Sequence, residues 1–261
     1  MLRSLYTAAT GMDAQQTKLD IIAHNLANAS TTGFKKMRAD FQDLLSETIR
    51  SSSPTSAQGG SQPTALQVGL GVRTASTSRS FAQGDMIQTK NPLDVAIGGS
   101  GFFRVQRANG DQAYTRDGSF RLDSAGRLVT QLGELLDPSI TLPPDATSIT
   151  IKPDGTVQAK LPSKTDLVDV GSIQLATFAN PGGLEAIGNN LLVATSSSGD
   201  PIVVKPGDQG AGGLSQGTLE GANVSAVEEM INMISTQRNY ELNSKIIESA
   251  DEMLQKLTQI R

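Results

Sequence analysis

The feature that most constrains the fold is a long helical segment without interruptions near the C-terminal end of the sequence. Ser225 is followed three residues later by Glu228, a capping-box signature placed directly before an apolar run. Neither glycine nor proline occurs from Ser225 to Arg261. At about 1.5 Å per residue, the pattern predicts a rod roughly 50 Å long. The positions of its apolar residues indicate which partners cover it.

Apolar residues follow two lines on opposite sides of this predicted helix. With a step of about 100° per residue, each line drifts only slowly along its face. The first line consists of Met233, Tyr240, Ile247 and Leu254. The opposite line contains Leu242, Ile246, Met253 and Ile260. A helix with two opposed apolar lines needs a partner on each side, and one further helix of the same chain covers only the first line.

Two partners are possible for the second line. A β domain of the same chain could cover it, but a glycine-rich connector at 205–223 and a polar stretch at 51–63 separate the ends of the chain from its middle. Another copy of the chain is the second possible partner. We therefore predict that the second line, from Leu242 to Ile260, makes intersubunit contacts.

The N-terminal region is predicted to form the helix that covers the first line. A seven-residue repeat, the spacing of coiled coils, is carried by Leu5, Met12, Leu19 and Leu26. We predict that this inner seam packs on the first line of the C-terminal helix. Asn25 and Asn28 interrupt the seam, and polar groups in such positions fix helix register at some cost in stability. Simple exposure to solvent is the alternative interpretation of both asparagines.

Short apolar runs separated by turn signals fill the middle of the sequence. The dipeptides at 109–110, 117–118 and 154–155, Asn-Gly or Asp-Gly, each lie between strand-like runs, as β-hairpins require. The sequence thus predicts an α+β protein with a helix at each end and an antiparallel β-rich middle. The predicted ranges are 1–45 and 222–261 for a discontinuous helical domain, 46–66 for a polar Ser/Gly-rich extended segment, and 67–221 for the β-rich domain.

Composition argues against several classes of function. The chain has no cysteine, so disulfides and thiolate sites are excluded, and a single histidine, His24, excludes a His-rich metal site. His24 also lies well off the line from Leu5 to Leu26, so we interpret it as exposed or facing a neighbour. Its glycine-rich turns complete neither a dinucleotide-binding nor a phosphate-loop pattern. The net charge of −4 gives no electrostatic reason to expect nucleic acid as a partner. We therefore expect no catalytic residue, no metal and no cofactor.

Four blocks of the sequence resemble the bacterial flagellar rod and hook axial proteins, in the same order along the chain. The first is NLANASTTGFK at 25–35, which resembles the N-terminal signature of that family. The other blocks occupy 94–105, 114–130 and 227–260. The signature residues of the first block are Asn25, Asn28, Gly33, Phe34 and Lys35. Within the family, the run from 66 to 97 is most similar to the subunits of the distal rod.

The resemblance implies a structural role without catalysis. Many copies would assemble into a helical tube, with the terminal helices as its coiled-coil core and the β-rich domain facing outward. The tube would be the distal rod, a drive shaft that transmits torque from the motor to the hook across the periplasm and outer membrane. The implied partners are proximal rod and hook subunits and the ring proteins of the peptidoglycan and outer membrane. Residues 46–66 correspond to a segment that stiffens such a rod.

The resemblance also implies export by the flagellar type III apparatus. This expectation agrees with the start of the sequence, which has no apolar core of a cleavable signal peptide. No run approaches the roughly 18 consecutive apolar residues of a membrane span. Two alternatives stay open at this point. One is a proximal rod subunit of similar length, and the other is an exported wall-degrading hydrolase, which would need a cleft with converging acidic or histidine side chains.

Overall fold

The computed structural model describes residues 2–50, 65–162 and 167–259. The chain divides into two compact units. The terminal unit contains Met1–Leu26, Met37–Ser78 and Ser225–Arg261, and the β unit contains Ala27–Lys36 and Arg79–Val224. Helices at the two ends of the chain, with antiparallel strands between them, confirm the predicted α+β class.

Two long helices form the larger part of the terminal unit. Helix α1 is Leu2–Ala27 and helix α2 is Ala226–Gln259. The Glu228 N–H donates to Ser225 Oγ at 3.4 Å, so the predicted cap opens α2. Among the described residues, no helix combines the length and the apolar content that crossing a membrane requires.

The two helices run antiparallel, as two contacts between them show. Asn25 Nδ2, near the end of α1, lies 3.4 Å from Glu229 Oε2 in the first turn of α2. A β-carbon placed on Gly11 would lie 3.0 Å from Asn243 Nδ2. The two contacts are fourteen residues apart on each helix, in opposite chain directions. Because this distance is two heptads, the same side of each helix faces its partner over this length.

Four strands complete the terminal unit. They are β1 (Met37–Asp43), β2 (Glu47–Arg50), β3 (Leu66–Val68) and β4 (Val72–Arg79). Strand β1 pairs with β4, and β2 pairs antiparallel with β3. Both described ends of the predicted extended segment at 46–66 therefore include paired strand, while 51–64 lie outside the described residues.

The unit boundaries differ from the predicted ones at two places. We predict that the β-rich domain begins at 67, but residues up to Ser78 belong to the terminal unit, where β4 pairs with β1. We also predict a helical domain through 45, but Ala27–Lys36 belong to the β unit and β1 begins at Met37. A strand belongs to the unit in which its hydrogen-bonded partner strand lies. That partner is distant in the sequence, so local patterns do not identify it.

The β unit contains the remaining strands. In chain order they are β5 (Met86–Gln88), β6 (Val95–Gly98), β7 (Phe102–Gln106), β8 (Gln112–Thr115), β9 (Arg121–Leu122), β10 (Leu128–Val129), β11 (Leu135–Leu136), β12 (Ser148–Ile151), β13 (Thr156–Lys160), β14 (Leu167–Ser172), β15 (Leu175–Thr177), β16 (Glu185–Gly188), β17 (Leu191–Val193), β18 (Ile202–Val204), β19 (Gly213–Gln216) and β20 (Thr218–Glu220).

One sheet dominates the β unit. Its path is β16-β17-β8-β7-β11-β10-β9, and β15 joins it by pairing with β7 and β18. The smaller sheets are β12-β13-β14, β19-β6 and β20-β5. Two of the predicted hairpins are confirmed, since the turn at 109–110 joins the paired strands β7 and β8, and the turn at 154–155 joins β12 and β13.

The third predicted hairpin, at Asp117-Gly118, is wrong. It lies between β8 and β9, which are not neighbours in the sheet. Its glycine serves a close backbone approach instead: a β-carbon on Gly118 would lie 1.6 Å from the Val95 carbonyl oxygen. The Val95 N–H donates to the Gly118 carbonyl at 3.0 Å, so the dipeptide fixes the start of β6.

An aromatic and aliphatic core fills the β unit. Phe103 and Phe120 are buried and meet edge to face, with ring centroids 5.1 Å apart. Aliphatic residues packed in the same cluster include Ile97, Leu128, Leu136, Ile140, Ile173 and Leu175. A second cluster contains Phe102, Tyr114 and Phe178. The β unit therefore has a dense core of its own.

Candidate functional site

The covered face of α2 carries two lines of residues with a seven-residue repeat. One line contains Glu229, Thr236, Asn243 and Ala250, all buried except the half-buried Asn243. The other is the predicted inner line, of which Met233, Ile247 and Leu254 are half-buried. Tyr240, its fourth member, keeps 42 % of its surface exposed. The most deeply buried line is thus the polar or small one, which apolar periodicity does not single out.

The leucines of α1 lie beside its most deeply buried face. The predicted seam residues Leu5, Met12, Leu19 and Leu26 are all half-buried. The fully buried positions are Ala8, Ala14, Ile22 and Asn25. Gly11 shows why the centre of this face is small, since even a β-carbon there would meet Asn243 at 3.0 Å. The assignment of the four larger residues to an inner seam stays a prediction.

Large apolar side chains are exposed on the terminal unit. Leu242 is 57 % exposed, Ile246 47 % and Met253 50 %, while Ile260 lies outside the described residues. The same unit exposes further large apolar residues: Tyr6, Phe41, Leu45, Ile49, Leu66, Val68, Val227, Met230, Ile231, Ile234 and Tyr240. Exposed large apolar side chains in such number on one unit are typical of a surface that takes part in interactions. The predicted intersubunit role of Leu242, Ile246, Met253 and Ile260 stays a prediction.

Asn25 of the signature is 1 % exposed and joins three elements of the terminal unit. Its Nδ2 donates to the Met37 carbonyl at 2.8 Å, and its Oδ1 accepts from the Met37 N–H at 2.9 Å. The Asn25 side chain thus pairs with the first residue of β1 as a neighbouring strand would. The same Nδ2 faces Glu229 of α2. Because these partners exist in one helix register only, the contacts support the predicted role of Asn25 in fixing register.

The rest of the signature forms a turn that belongs to the β unit. Asn28 accepts from the Thr31 N–H at 3.0 Å and from Thr31 Oγ1 at 3.2 Å. Gly33 has φ +68°, and a β-carbon there would lie 2.7 Å from the Asp117 nitrogen. Only glycine fits this position without strain. Phe34 is 6 % exposed, so the turn contributes to the interior of the β unit.

Lys35 forms a buried ion pair with a residue from the other end of the chain. Its Nζ lies 2.7 Å from Glu220 Oε1 and donates to the Ala82 carbonyl at 2.7 Å. On the other carboxylate oxygen, Arg116 Nε lies 3.1 Å from Glu220 Oε2. None of the three side chains is more than 4 % exposed. Two cations from separate blocks of the sequence thus share one carboxylate away from solvent.

Further contacts spread the excess positive charge of this cluster. Arg116 donates to the carbonyls of Gly99 and Gly101, each at 2.8 Å, and its guanidinium carbon lies 5.8 Å from the centroid of the Phe102 ring. Burial lowers the pKa of the Lys35 ammonium, against the effect of the hydrogen bond and charge of Glu220. Burial also lowers the pKa of Arg116. Both shifts arise because one carboxylate replaces only part of the hydration that two buried cations lose.

Sequence patterns alone do not reveal Arg116 and Glu220 as members of this site. Arg116 lies within the block 114–130, and Glu220 lies within the glycine-rich connector. The only local signal is that Glu220 is a lone acidic side chain between the apolar Leu219 and Gly221, in a segment otherwise suited to turns. Charged residues are seldom fully buried without a partner, but the pattern does not identify that partner.

A polar cleft of about 220 Å³ in the β unit bears on the enzymatic alternative. It is lined by Asp117 and Glu134, among other residues. Asp117 Oδ1 accepts from Thr32 Oγ1 at 3.1 Å, from the Ser119 N–H at 3.1 Å and from Ser119 Oγ at 2.8 Å. This carboxylate therefore stabilises a turn. Burial raises the pKa of Glu134, and the described residues hold no acidic or histidine group of three that could bind a metal ion.

Comparison with known proteins gives a consistent result along the whole chain. Three family descriptions match: "Flagella basal body rod protein" at residues 5–35, "Flagellar hook protein FlgE/F/G D1 domain" at 96–159, and "Flagellar basal body rod FlgEFG protein C-terminal" at 215–260. The flagellar basal-body rod protein FlgG of Buchnera aphidicola subsp. Acyrthosiphon pisum is 48 % identical over 260 residues, with 100 % of both chains covered.

A pair of relatives from one organism separates two similar subunits. The flagellar basal-body rod protein FlgG of Caulobacter vibrioides is 47 % identical over 261 residues, with 100 % of both chains covered. The flagellar basal-body rod protein FlgF of the same organism is 35 % identical over 257 residues, covering 97 % of this chain and 95 % of that protein. The chain is thus more similar to the FlgG than to the FlgF of this one organism.

Proposed function

Because this chain belongs to the flagellar basal body rod FlgEFG family, we propose that it is a structural subunit of the distal flagellar rod. The greater similarity to FlgG than to FlgF of the same organism favours this subunit over a proximal one of similar length. In this proposal, many copies form a helical tube that transmits torque from the motor to the hook.

The observation that carries the assembly mechanism is the imbalance between buried and exposed apolar residues in the terminal unit. Its described residues include only four buried apolar side chains, Ala8, Ala14, Ile22 and Ala250. The same residues expose fourteen large apolar side chains. Each Å² of apolar surface removed from water stabilises a protein by about 25 cal/mol of free energy. Contact between copies that covers these side chains would therefore stabilise this unit.

The geometry of such contacts favours a filament. Of the fourteen exposed side chains, nine lie on the two helices and five within 41–68. Because the set is spread over several elements, one part of it on each copy would contact a different part on the next copy. A head-to-tail contact of this kind continues into a helical filament when its rotation does not close a ring. The helix pairs would then form the core of the tube, with the two helices packed on each other through the inner-seam residues Leu5, Met12, Leu19, Leu26, Met233, Tyr240, Ile247 and Leu254.

The place and partners of the subunit follow from the same proposal. The subunit would cross the periplasm and outer membrane within the basal body, after export by the flagellar type III apparatus without a cleavable signal. It would contact proximal rod and hook subunits at its ends, and the peptidoglycan and outer-membrane rings at its surface. Gold labelling of the protein in isolated basal bodies tests this placement, and label confined to the motor-proximal end would contradict it.

A role without catalysis is part of the proposal. The carboxylate of Asp117 in the polar cleft already accepts three hydrogen bonds within its turn, which leaves it poorly placed to act on a sugar. Incubating the purified protein with peptidoglycan tests this point. Release of soluble muropeptides would contradict the proposal, and its loss in an Asp117→Asn variant would assign the activity to the polar cleft.

The assembly mechanism is tested by placing a charge in the exposed apolar set. Ile246→Asp should abolish rod assembly in cells, because a carboxylate would be buried at the contact between copies. The matched control is Gln237→Asp, which adds the same charge at an exposed position of the same helix outside the apolar set. Electron microscopy of basal bodies measures the outcome. Complete rods with Ile246→Asp, or missing rods with both variants, would contradict the mechanism.

A further inference from the structure

Three segments of the β unit lie together in the fold, and each is next along the chain to a residue at which the chain passes from one unit to the other. The chain makes such a passage four times, and three of them follow Lys36, Ser78 and Val224. The segments at these passages are 33–36, 79–85 and 217–224, all within the β unit. They are distant in sequence, yet each of the three pairs of segments is joined by hydrogen bonds.

Asn223 joins the other two segments directly. Its Oδ1 accepts from the Lys36 N–H at 2.7 Å. Its Nδ2 donates to the carbonyls of Ser80 at 2.9 Å and Ala82 at 3.0 Å. The Ser80 N–H closes the triangle by donating to the Lys36 carbonyl at 2.9 Å. One amide side chain thus uses both its donor and its acceptor to hold two other pieces of backbone.

Glu220 also contacts both of the other segments, and its side chain is buried away from solvent. Its carbonyl accepts from the Gly33 N–H at 2.8 Å, and its carboxylate pairs with Lys35 and accepts from the Gly84 N–H at 3.0 Å. The backbones approach so closely that a β-carbon on Gly84 would lie 2.2 Å from the Gly221 carbonyl oxygen. Pulling any one segment away therefore exposes a buried charge as well as breaking hydrogen bonds.

We propose that Asn223 and Glu220 form a mechanical clamp that holds these three segments together when force is applied to the chain. A force that enters the β unit through the passages at Lys36, Ser78 or Val224 meets bonds shared by all three segments. None of the segments can then shift alone. That the force on the chain comes from transmitted torque rests on the proposed function. The hydrogen bonds and ion pair of the clamp belong to the single subunit and do not depend on that function.

The clamp predicts that the three segments open as one cooperative unit. Asn223→Asp is nearly isosteric, but it removes both Nδ2 donations and directs a carboxylate towards two carbonyl oxygens. In the purified full-length protein, hydrogen exchange of 33–36, 79–85 and 217–224 should become about tenfold or more faster together, because the lost bonds lower the free energy of this opening. Exchange in β6 and β7 should stay unchanged.

Asn180→Asp is the matched control in the same unit. Asn180 Nδ2 donates to the Ser197 carbonyl at 3.0 Å, and neither residue belongs to the three segments. This variant should leave exchange in the three segments unchanged. Acceleration confined to 217–224, or equal acceleration in both variants, would overturn the clamp.

Swimming speed in cells tests the mechanical role separately. Cells with Asn223→Asp should swim normally in dilute buffer and lose speed in viscous medium, relative to cells with Asn180→Asp. If exchange responds as expected but speed under load does not, the mechanical role is overturned. Failure of the proposed function has a different outcome, since Ile246→Asp would then leave the rods complete.

Discussion

The β unit and the terminal unit bury apolar surface in opposite ways. The described residues of the β unit include twenty-nine buried apolar side chains, with Phe103 and Phe120 at the centre. Those of the terminal unit include four, of which only Ile22 is larger than alanine. Where its two helices meet, the terminal unit uses small and polar residues such as Gly11, Asn25 and Asn243.

This difference indicates how each unit obtains its stability. Close packing of large side chains stabilises the β unit within one molecule. The terminal unit has a well-defined helix register but little apolar burial, so its stability should depend on contact with other copies and on their concentration. In the proposed rod, such a subunit would combine a β unit that is stable by itself with terminal helices that bury most of their apolar surface against other copies.

Truncation of the β-unit core should give the largest effect. Phe103→Ala should lower the free energy of unfolding of the isolated subunit by about 3–5 kcal/mol, because a buried aromatic side chain leaves a cavity. Leu242→Ala, its counterpart in the terminal unit, should change it by less than about 0.5 kcal/mol, because Leu242 is 57 % exposed. Urea denaturation followed by circular dichroism measures both. Similar losses in the two variants would contradict the difference between the units.

Loss of a buried charge should give an intermediate effect. Lys35→Met should lower the free energy of unfolding by about 1–3 kcal/mol, since Glu220 loses one buried partner but keeps Arg116. Lys160→Met, at an exposed position of the same unit, is the control and should have little effect. The same urea experiment measures the change. An unchanged stability in Lys35→Met would show that the signature turn does not depend on this ion pair.

An exposed ion pair of the terminal unit should give the smallest effect. Arg3 NH2 lies 2.5 Å from Glu47 Oε2, but the two side chains are 52 % and 48 % exposed. Arg3→Gln should change stability by less than about 0.5 kcal/mol, because water screens such pairs. The change should shrink further in high salt. A loss as large as that of Lys35→Met would mean that the terminal unit is stabilised within one molecule after all.

Local patterns predicted the elements better than they predicted the units. The helix that begins after Ser225 and the hairpin turns at 109–110 and 154–155 follow from short-range rules that the structure confirms. The turn at 117–118 obeys the same rule but forms no hairpin, because Gly118 is needed for a close approach to Val95. The sequence of residues 67–78 is strand-like, and a strand could belong to the terminal unit or to the β unit. The local pattern therefore did not indicate which unit contains these residues.

The signature segment shows the same division at the level of single residues. Asn25 could be recognised as a polar interruption of a helical seam, and its burial agrees with a role in register. Nothing near Lys35 in the sequence indicates that its partner is Glu220, 185 residues away. The importance of Asn223 is likewise invisible in the sequence, because its three hydrogen-bond partners come from two other segments.

The sequence by itself determined the helical ends, the antiparallel middle, the family and the presence of more apolar surface on α2 than one partner helix can cover. These properties depend on periodicity and composition, which act over a few turns or strands. Only the tertiary structure decided that the signature turn belongs to the β unit and that Asn223 and Glu220 hold three chain segments together. Hydrogen bonds and ion pairs between distant residues depend on where the folded backbone brings them, and no local pattern encodes that position.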